Sequence, residues 1–404
     1  MQIVYLSNGC SEEKFSQLRE KGITRQLPQA QKYHRLLMEG LASWTEQELV
    51  SLSAYSVNRQ WTKQIVFSRE EEHRDNIHYI YGAFWNLPVF RQLTRMVNAS
   101  REIKKLYRKN PDMVLICDVL NQSLSEAARY CGKKYRIPVV GIVTDVPGLM
   151  LGTRNGRQPL LTRLVSQYAE TRCRKNLGKY DGYLLLTEAM NPVVNTNHKP
   201  YLVIEGHADS KMTEVTNTLA DKQQPKVAMY AGGIHKEYGI GCMVDAFRNG
   251  NFSNWQLHIY GDGNYREELE QIAAQDGRIQ YFGAQSNALV VQKQLTASVL
   301  INPRLTNEEY VKYSFPSKTM ECMASGTPLL TTKLPGMPKE YEPYVYLITE
   351  ETEAGMQAAM EAVFTQTAES LHQKGAEAKA FVLKEKNNIC QAKKFMDFLA
   401  QLKK

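Results

Sequence analysis

The sequence predicts an α/β protein built from two doubly wound, parallel-sheet domains. Three observations carry that expectation. Short, near-continuous apolar runs recur along the whole chain with helical segments between them, the pattern of parallel strands buried on both faces. A polar stretch, HADSKMTEVTNTLADKQQPK (207–226), interrupts the pattern near the middle and reads as a connector. At 404 residues the chain is too long for one compact core and suits two.

In the first half the strand-like runs are QIVYLS (2–7), LVSLSA (49–54), QIVFS (64–68), MVLICDV (113–119), VVGIVT (139–144), YLLLT (183–187) and YLVIE (201–205). They define a first domain over 1–207. The second domain, 222–385, starts with KVAMYAGG (226–233), then a helix around 238–248 and QLHIYGDG (256–263). A helix around 265–275, IQYFG (279–283) and a helix near 286–296 follow, then SVLINP (298–303), a short helix over 316–325, PLLTT (328–332) and YVYLI (344–348). Proline is tolerated in the first turn of that short helix, and Gly326 is suited to the left-handed residue that ends it. From about 351 the chain reads as helical. The final stretch places Ile389, Phe395, Phe398, Leu399 and Leu402 near helical spacing, so that a segment over 386–404 packs back on the first domain.

Hydrophobic and charged contents of 43% and 23% are those of an ordinary globular chain. No apolar run is long enough to span a bilayer, and MQIVYLSNGC leads into a charged segment rather than a signal-peptide pattern, so a cytosolic protein is expected. Seven scattered cysteines with no CxxC pair argue against a zinc site or a disulfide framework. The net charge of +8 is uneven. Residues 1–207 hold 29 basic against 19 acidic residues, and residues 208–404 hold 21 against 23. The first half is therefore expected to face something anionic, whether a phospholipid surface, a lipid-linked pyrophosphate or nucleic acid. Two basic helical stretches, 157–179 and 90–110, fit a core-facing helix with a solvated back and also fit peripheral contact with a membrane. No nucleic-acid reading motif accompanies the charge.

In open parallel sheets ligands bind at the carboxyl ends of strands, and two such domains facing across a cleft would share that position. Gly232 and Gly233 end a strand there and let backbone approach a ligand, with Lys236 within reach of a phosphate. Ser314, Phe315, Pro316 and Ser317 set a helix amino terminus at the same sheet edge, where free N–H groups favour an anion and Lys318 adds a full charge. Glu321, among Met320, Cys322 and Met323, needs a partner and is suited to a ribose diol. In the first domain Asn8, Gly9 and Cys10 follow the first strand, and Asp145 and Asp118 stand at strand ends. These are candidates for binding an acceptor, although strand-end carboxylates also serve as turn caps. His207 and His235 flank candidate loops.

The stretch SFPSKTMECMASGTPLL (314–330), preceded by INPR (301–304), resembles the nucleotide-sugar site of retaining glycosyltransferases of family 4, which have the GT-B fold. YAGGIHKEYGI (230–240) with VDAF, HIYGDG (258–263) and LTEAMN (186–191) are similar too. The resemblance implies two Rossmann-like domains and a nucleoside diphosphate sugar as co-substrate, with no other cofactor and no metal. It also implies a glycan or polyprenyl-pyrophosphate-linked acceptor and a role in polysaccharide biosynthesis. Gly232, Gly233 and Lys236 would form the pyrophosphate loop with Arg304 and Lys318 as cationic partners, and Glu321 would hold the ribose. Two glutamates flank the donor in the family. The position of the first is Tyr313 here, which leaves Glu308, Glu309 or the Tyr313 phenol to meet the donor sugar. Two other readings are a catalytically idle sugar-nucleotide-binding subunit, which the missing glutamate favours, and an oxidoreductase, which the absence of GxGxxG disfavours.

Overall fold

The computed structural model describes residues 1–24, 28–88, 90–147 and 171–402. The chain divides into two compact units, Met1–His207 with Asn388–Lys404, and Ala208–Asn387.

In chain order the strands of the first unit are β1 (Gln2–Ser7), β2 (Leu49–Ser53), β3 (Val66–Phe67), β4 (Glu70–Arg74), β5 (Ile77–Tyr81), β6 (Phe84–Trp85), β7 (Met113–Asp118), β8 (Val139–Val143), β9 (Gly182–Leu185) and β10 (Tyr201–Val203). Eight of them form one sheet in the order β10-β9-β8-β7-β1-β2-β5-β4. All its pairings are parallel except that of β4 with β5. Sequence order reverses between β1 and β7, so the crevice at the carboxyl ends opens there.

Two features depart from the sequence expectation. The run 64–68 supplies only β3, which pairs with β6 in a separate two-stranded ribbon. The main sheet instead gains β5 and the polar edge strand β4 (EEEHR), which pairs through its backbone and therefore shows no apolar run. Asp75 and Asn76, both at positive φ, turn the chain between these two strands, as a tight hairpin requires. A core of Tyr5, Leu37, Ile116 and Ile142 also takes in Phe395, Phe398 and Leu399 of the helix Asn388–Leu402. That helix lies so close to the helix Pro28–Ala42 that a Cβ at Gly40 would stand 2.2 Å from the Asn388 carbonyl oxygen.

The second unit has six parallel strands, β11 (Lys226–Gly233), β12 (Trp255–Asp262), β13 (Ile279–Tyr281), β14 (Val299–Asn302), β15 (Leu329–Thr332) and β16 (Tyr346–Ile348). Their order is β13-β12-β11-β14-β15-β16, with the reversal between β11 and β14. The polar stretch after His207 is packed on this unit. Asn217 donates to the Ser325 carbonyl at 2.8 Å, and Lys222 donates to the Leu295 carbonyl at 2.8 Å.

Candidate functional site

The second unit brings several of the expected residues together at its β11/β14 switch point. β11 ends in Gly232 and Gly233, and the Tyr230 hydroxyl donates to the Gly233 carbonyl at 2.9 Å. A Cβ on Gly232 would lie 1.5 Å from Lys318 Nζ, so the missing side chain is what lets the ammonium rest across the strand end. Next door, Gly261 has φ of 139°, and a side chain there would strike the Gly232 carbonyl. Lys318 projects from the first turn of the helix Ser317–Ser325. Its Nζ stands 5.1 Å from the centre of the Tyr230 ring. Burial, with a smaller contribution from the Arg304 charge, draws the Lys318 pKa down to about 8 against the opposing effects of Cys322 and Glu321.

Arg304 follows β14. Its guanidinium carbon lies 5.5 Å from the Tyr238 ring centre and 5.3 Å from that of Tyr310, and its Nε is buried without a hydrogen-bond partner. Gly239, at φ 81°, allows this cradle. A Cβ there would meet the Pro303 carbonyl at 1.9 Å, so glycine lets the turn carrying Tyr238 close on residue 303. Sequence reasoning missed Tyr230, Tyr238 and Tyr310. Two of them lie inside YAGGIHKEYGI, where aromatic residues beside glycines were the available signal.

The helix begins at Pro316, with no side chain capping its first N–H groups, and ends at Gly326 with φ of 78°. Ser314 Oγ donates back to the Val311 carbonyl at 3.3 Å, and Phe315 packs its ring against Tyr341 at 5.3 Å. Ser317 is exposed and Glu321 half-buried, one turn beyond Lys318. Tyr313 is buried, with Lys312 Nζ 4.7 Å from its ring centre, while Glu309 is exposed and pairs with Lys312 at 3.2 Å. Glu308 precedes the same 3-10 turn. Lys236 turns to Glu268 at 2.5 Å and lies over Tyr265 rather than over the glycine pair. His235 packs edge-on against Tyr238.

In the first unit Asn8 and Asp118 flank the β1/β7 switch point. Asn8 Oδ1 is buried without a partner, and the Gly9 N–H donates to Ser7 Oγ at 2.9 Å. Asp118 accepts from the Leu120 N–H at 2.9 Å and stands 3.5 Å from His34 Nε2, whose other ring nitrogen is 2.8 Å from the Tyr5 hydroxyl. Cys10 is buried, which raises its thiol to about 12. Asp145 is half-buried just past β8. His207 is buried beside Tyr33 at 4.8 Å, and loss of solvent lowers its pKa to about 3. Among the described residues Glu48, His73 and His78 lie within metal-binding reach of one another. However, the two imidazoles stack at 4.1 Å and 14°, so their in-plane lone pairs run parallel instead of converging. Of the basic stretch 157–179, only 171–179 is described; its apolar face (Leu160 to Tyr168) lies outside the described residues.

Two doubly wound parallel-sheet units with these switch points define the GT-B fold, and the chain superposes along its whole length on solved structures of that class. Residues 225–366, the body of the second unit, match the family model described as "Glycosyl transferases group 1". The chain is similar to a sucrose-phosphate synthase from Thermosynechococcus elongatus, with TM-score 0.64 and 15% identity over 100% of this chain and 99% of the other. It is similar to the Anabaena protein HepE in complex with UDP, with TM-score 0.63 and 12% identity over 99% and 100%. A third similar structure is an α,α-trehalose 6-phosphate synthase from Burkholderia multivorans, with TM-score 0.63 and 13% identity over 100% and 96%. No curated protein matches the chain by sequence.

Proposed function

We propose that this chain transfers a glycosyl group from a nucleoside diphosphate sugar to an acceptor hydroxyl, keeping the anomeric configuration, in the assembly of a polysaccharide or related glycan. The strongest support is the cationic pair at the β11/β14 switch point. The Lys318 ammonium lies across the bare backbone of Gly232, and Arg304, whose charge acts on Lys318, is held by two rings with Nε unpaired. Such an edge suits the diphosphate, which gains negative charge as it departs. The match of this unit to the glycosyltransferase model, and the UDP-glucose bound by the similar HepE, favour a uridine donor for the first trials.

In the proposed reaction the bond from the anomeric carbon to the phosphate oxygen breaks, and a bond to the acceptor oxygen forms on the same face. The acceptor proton passes to the departing diphosphate, so neither a protein base nor a metal is required. Lys318, Arg304 and the uncapped helix start at Pro316–Ser317 meet the developing charge. Glu321 takes the ribose hydroxyls, and Tyr313 or Glu309 meets the donor sugar. Lys236 joins the phosphates after leaving Glu268. Asn8, Gly9 and Asp145 serve the acceptor, a glycan or a polyprenyl-pyrophosphate-linked sugar on the cytosolic side.

The test incubates the protein with a panel of nucleoside diphosphate sugars, with and without simple and lipid-linked sugar acceptors. Nucleotide release that requires acceptor, with an NMR-assigned product of unchanged configuration, is the expected result. Binding without turnover would support the idle subunit, which Tyr313 in place of an acid favours. No binding of any donor overturns the reading.

A further inference from the structure

Four of the exposed large apolar residues gather in one region of the first unit. They are Val66 (59% exposed), Trp85 (51%), Phe90 (50%) and Leu93 (49%). The β3/β6 ribbon makes the gathering systematic, because strand residues alternate sides. Phe67 and Phe84 stack inward at 4.6 Å, so their neighbours Val66 and Trp85, which pair across the ribbon, face out together. Trp85 in turn touches the Phe90 ring at 6.3 Å, carrying the patch onto the start of the helix Phe90–Lys109. A ribbon whose outer face is as apolar as its inner one is unusual for a surface that meets only water.

The helix explains what the patch fits. Residues 90, 93, 97, 101, 104 and 108 follow 3.6-residue spacing and form one stripe, which reads Phe, Leu, Val, Arg, Lys, Arg. The stripe is apolar in its first half and cationic in its second, and Arg101, Lys104 and Arg108 are all exposed. The helix has one acidic residue, Glu102, which turns inward and pairs with Arg69 at 3.3 Å and Lys105 at 2.9 Å. Nothing acidic on this helix therefore opposes the cations along the stripe. Aromatic and aliphatic side chains continuous with a row of lysines and arginines match the boundary between acyl chains and anionic headgroups.

We infer that Val66, Trp85, Phe90 and Leu93 insert into the interface of an anionic lipid bilayer while Arg101, Lys104 and Arg108 lie on its headgroups. The geometry stands without the sugar-transfer reading. Its consequence rests on that reading: the acceptor is then a lipid-borne sugar taken at the membrane surface.

The full chain is sedimented with phosphatidylcholine vesicles and with vesicles containing roughly one-third phosphatidylglycerol, at low and high salt. Wild type should favour the anionic vesicles by about ten-fold or more and lose that preference at high salt. Trp85→Ser with Phe90→Ser should weaken binding to both vesicle types, and Arg101→Glu with Lys104→Glu should remove only the anionic preference. Calorimetry with UDP-glucose on the same variants keeps the two ideas apart, since donor binding should be unchanged in all of them. Wild type that ignores anionic vesicles, or variants that bind them as wild type does, would overturn the inference. A wild-type dimer that the Trp85/Phe90 variant converts to monomer would also overturn it, because a second copy would then cover the patch.

Discussion

The two sheets put the same topological feature, a reversal of strand order at their carboxyl edge, to opposite uses. At β11/β14 the edge is stripped to glycine, the Lys318 ammonium lies across it, and Arg304 Nε is buried without a hydrogen-bond partner. At β1/β7 the charged group is paired, Tyr5 with His34 and His34 with Asp118, and the unpartnered group is the neutral Asn8 Oδ1. An edge whose polar groups lack partners is costly to build and gains on binding a ligand, whereas an edge whose groups are paired contributes to the fold. Under the proposed function the anionic ligand binds at the second unit, and mutations on the two sides should then have different outcomes.

The largest effect is expected at Lys318. Lys318→Met should lower turnover by roughly a hundred-fold or more while the melting temperature holds or rises, since a charge kept at a desolvation cost is removed. Gly232→Val tests the same contact from the other side. The new side chain would occupy the place of the ammonium and crowd the Tyr230 hydroxyl, 2.7 Å from a Cβ there, so a comparable loss of turnover with a lowered melting temperature is expected. Wild-type rates in both variants would break the comparison.

Arg304→Met should raise the donor Kd by about ten-fold or more, read by calorimetry. Next in size is a pH effect. The Lys318 pKa, lowered to about 8, means that in the free protein the charge is lost as pH rises through that value. Between about pH 8 and the ordinary lysine pKa the unfolded chain binds more protons than the folded one at this site, so this group's penalty on stability fades with rising pH. A bound diphosphate should restore the charge, so donor binding near pH 8 should take up a proton, and affinity should fall above it. Titrations in buffers of different ionisation enthalpy measure both, and Lys318→Met should abolish the uptake. The smallest effect belongs to the paired edge. Asp118→Asn should cost about 1–3 kcal/mol of stability with donor affinity unchanged, whereas Asn8→Ala should alter only the acceptor KM.

The second unit was legible in the sequence almost strand by strand. Its strands are mostly apolar and all parallel, and the helix over 317–325 carries its own start and stop signals in Pro316 and Gly326. The first unit hid β4 because an edge strand is held by backbone bonds and has no need of apolar side chains, whereas the interior β5 (IHYIY) is buried and apolar and, like the Asp75–Asn76 turn, was readable. At the site, chain order gave Gly232 and Lys318 as separate candidates, and only the fold shows that one exists to accommodate the other. The Tyr238–Arg304–Tyr310 stack joins residues from two loops, and no local spacing announces such a pairing. Lys236, chosen by proximity in sequence, pairs with Glu268 of the helix Arg266–Gln275.

The helix Asn388–Leu402 is built into the core of the first unit, although the whole second unit lies between it and the rest of that core in sequence. The two halves are therefore unequal as recombinant fragments. The segment 208–387 is continuous and suited to isolated expression for ligand studies. A fragment ending at residue 207 would leave hydrophobic side chains uncovered and is expected to precipitate unless the tail is grafted back through a short linker.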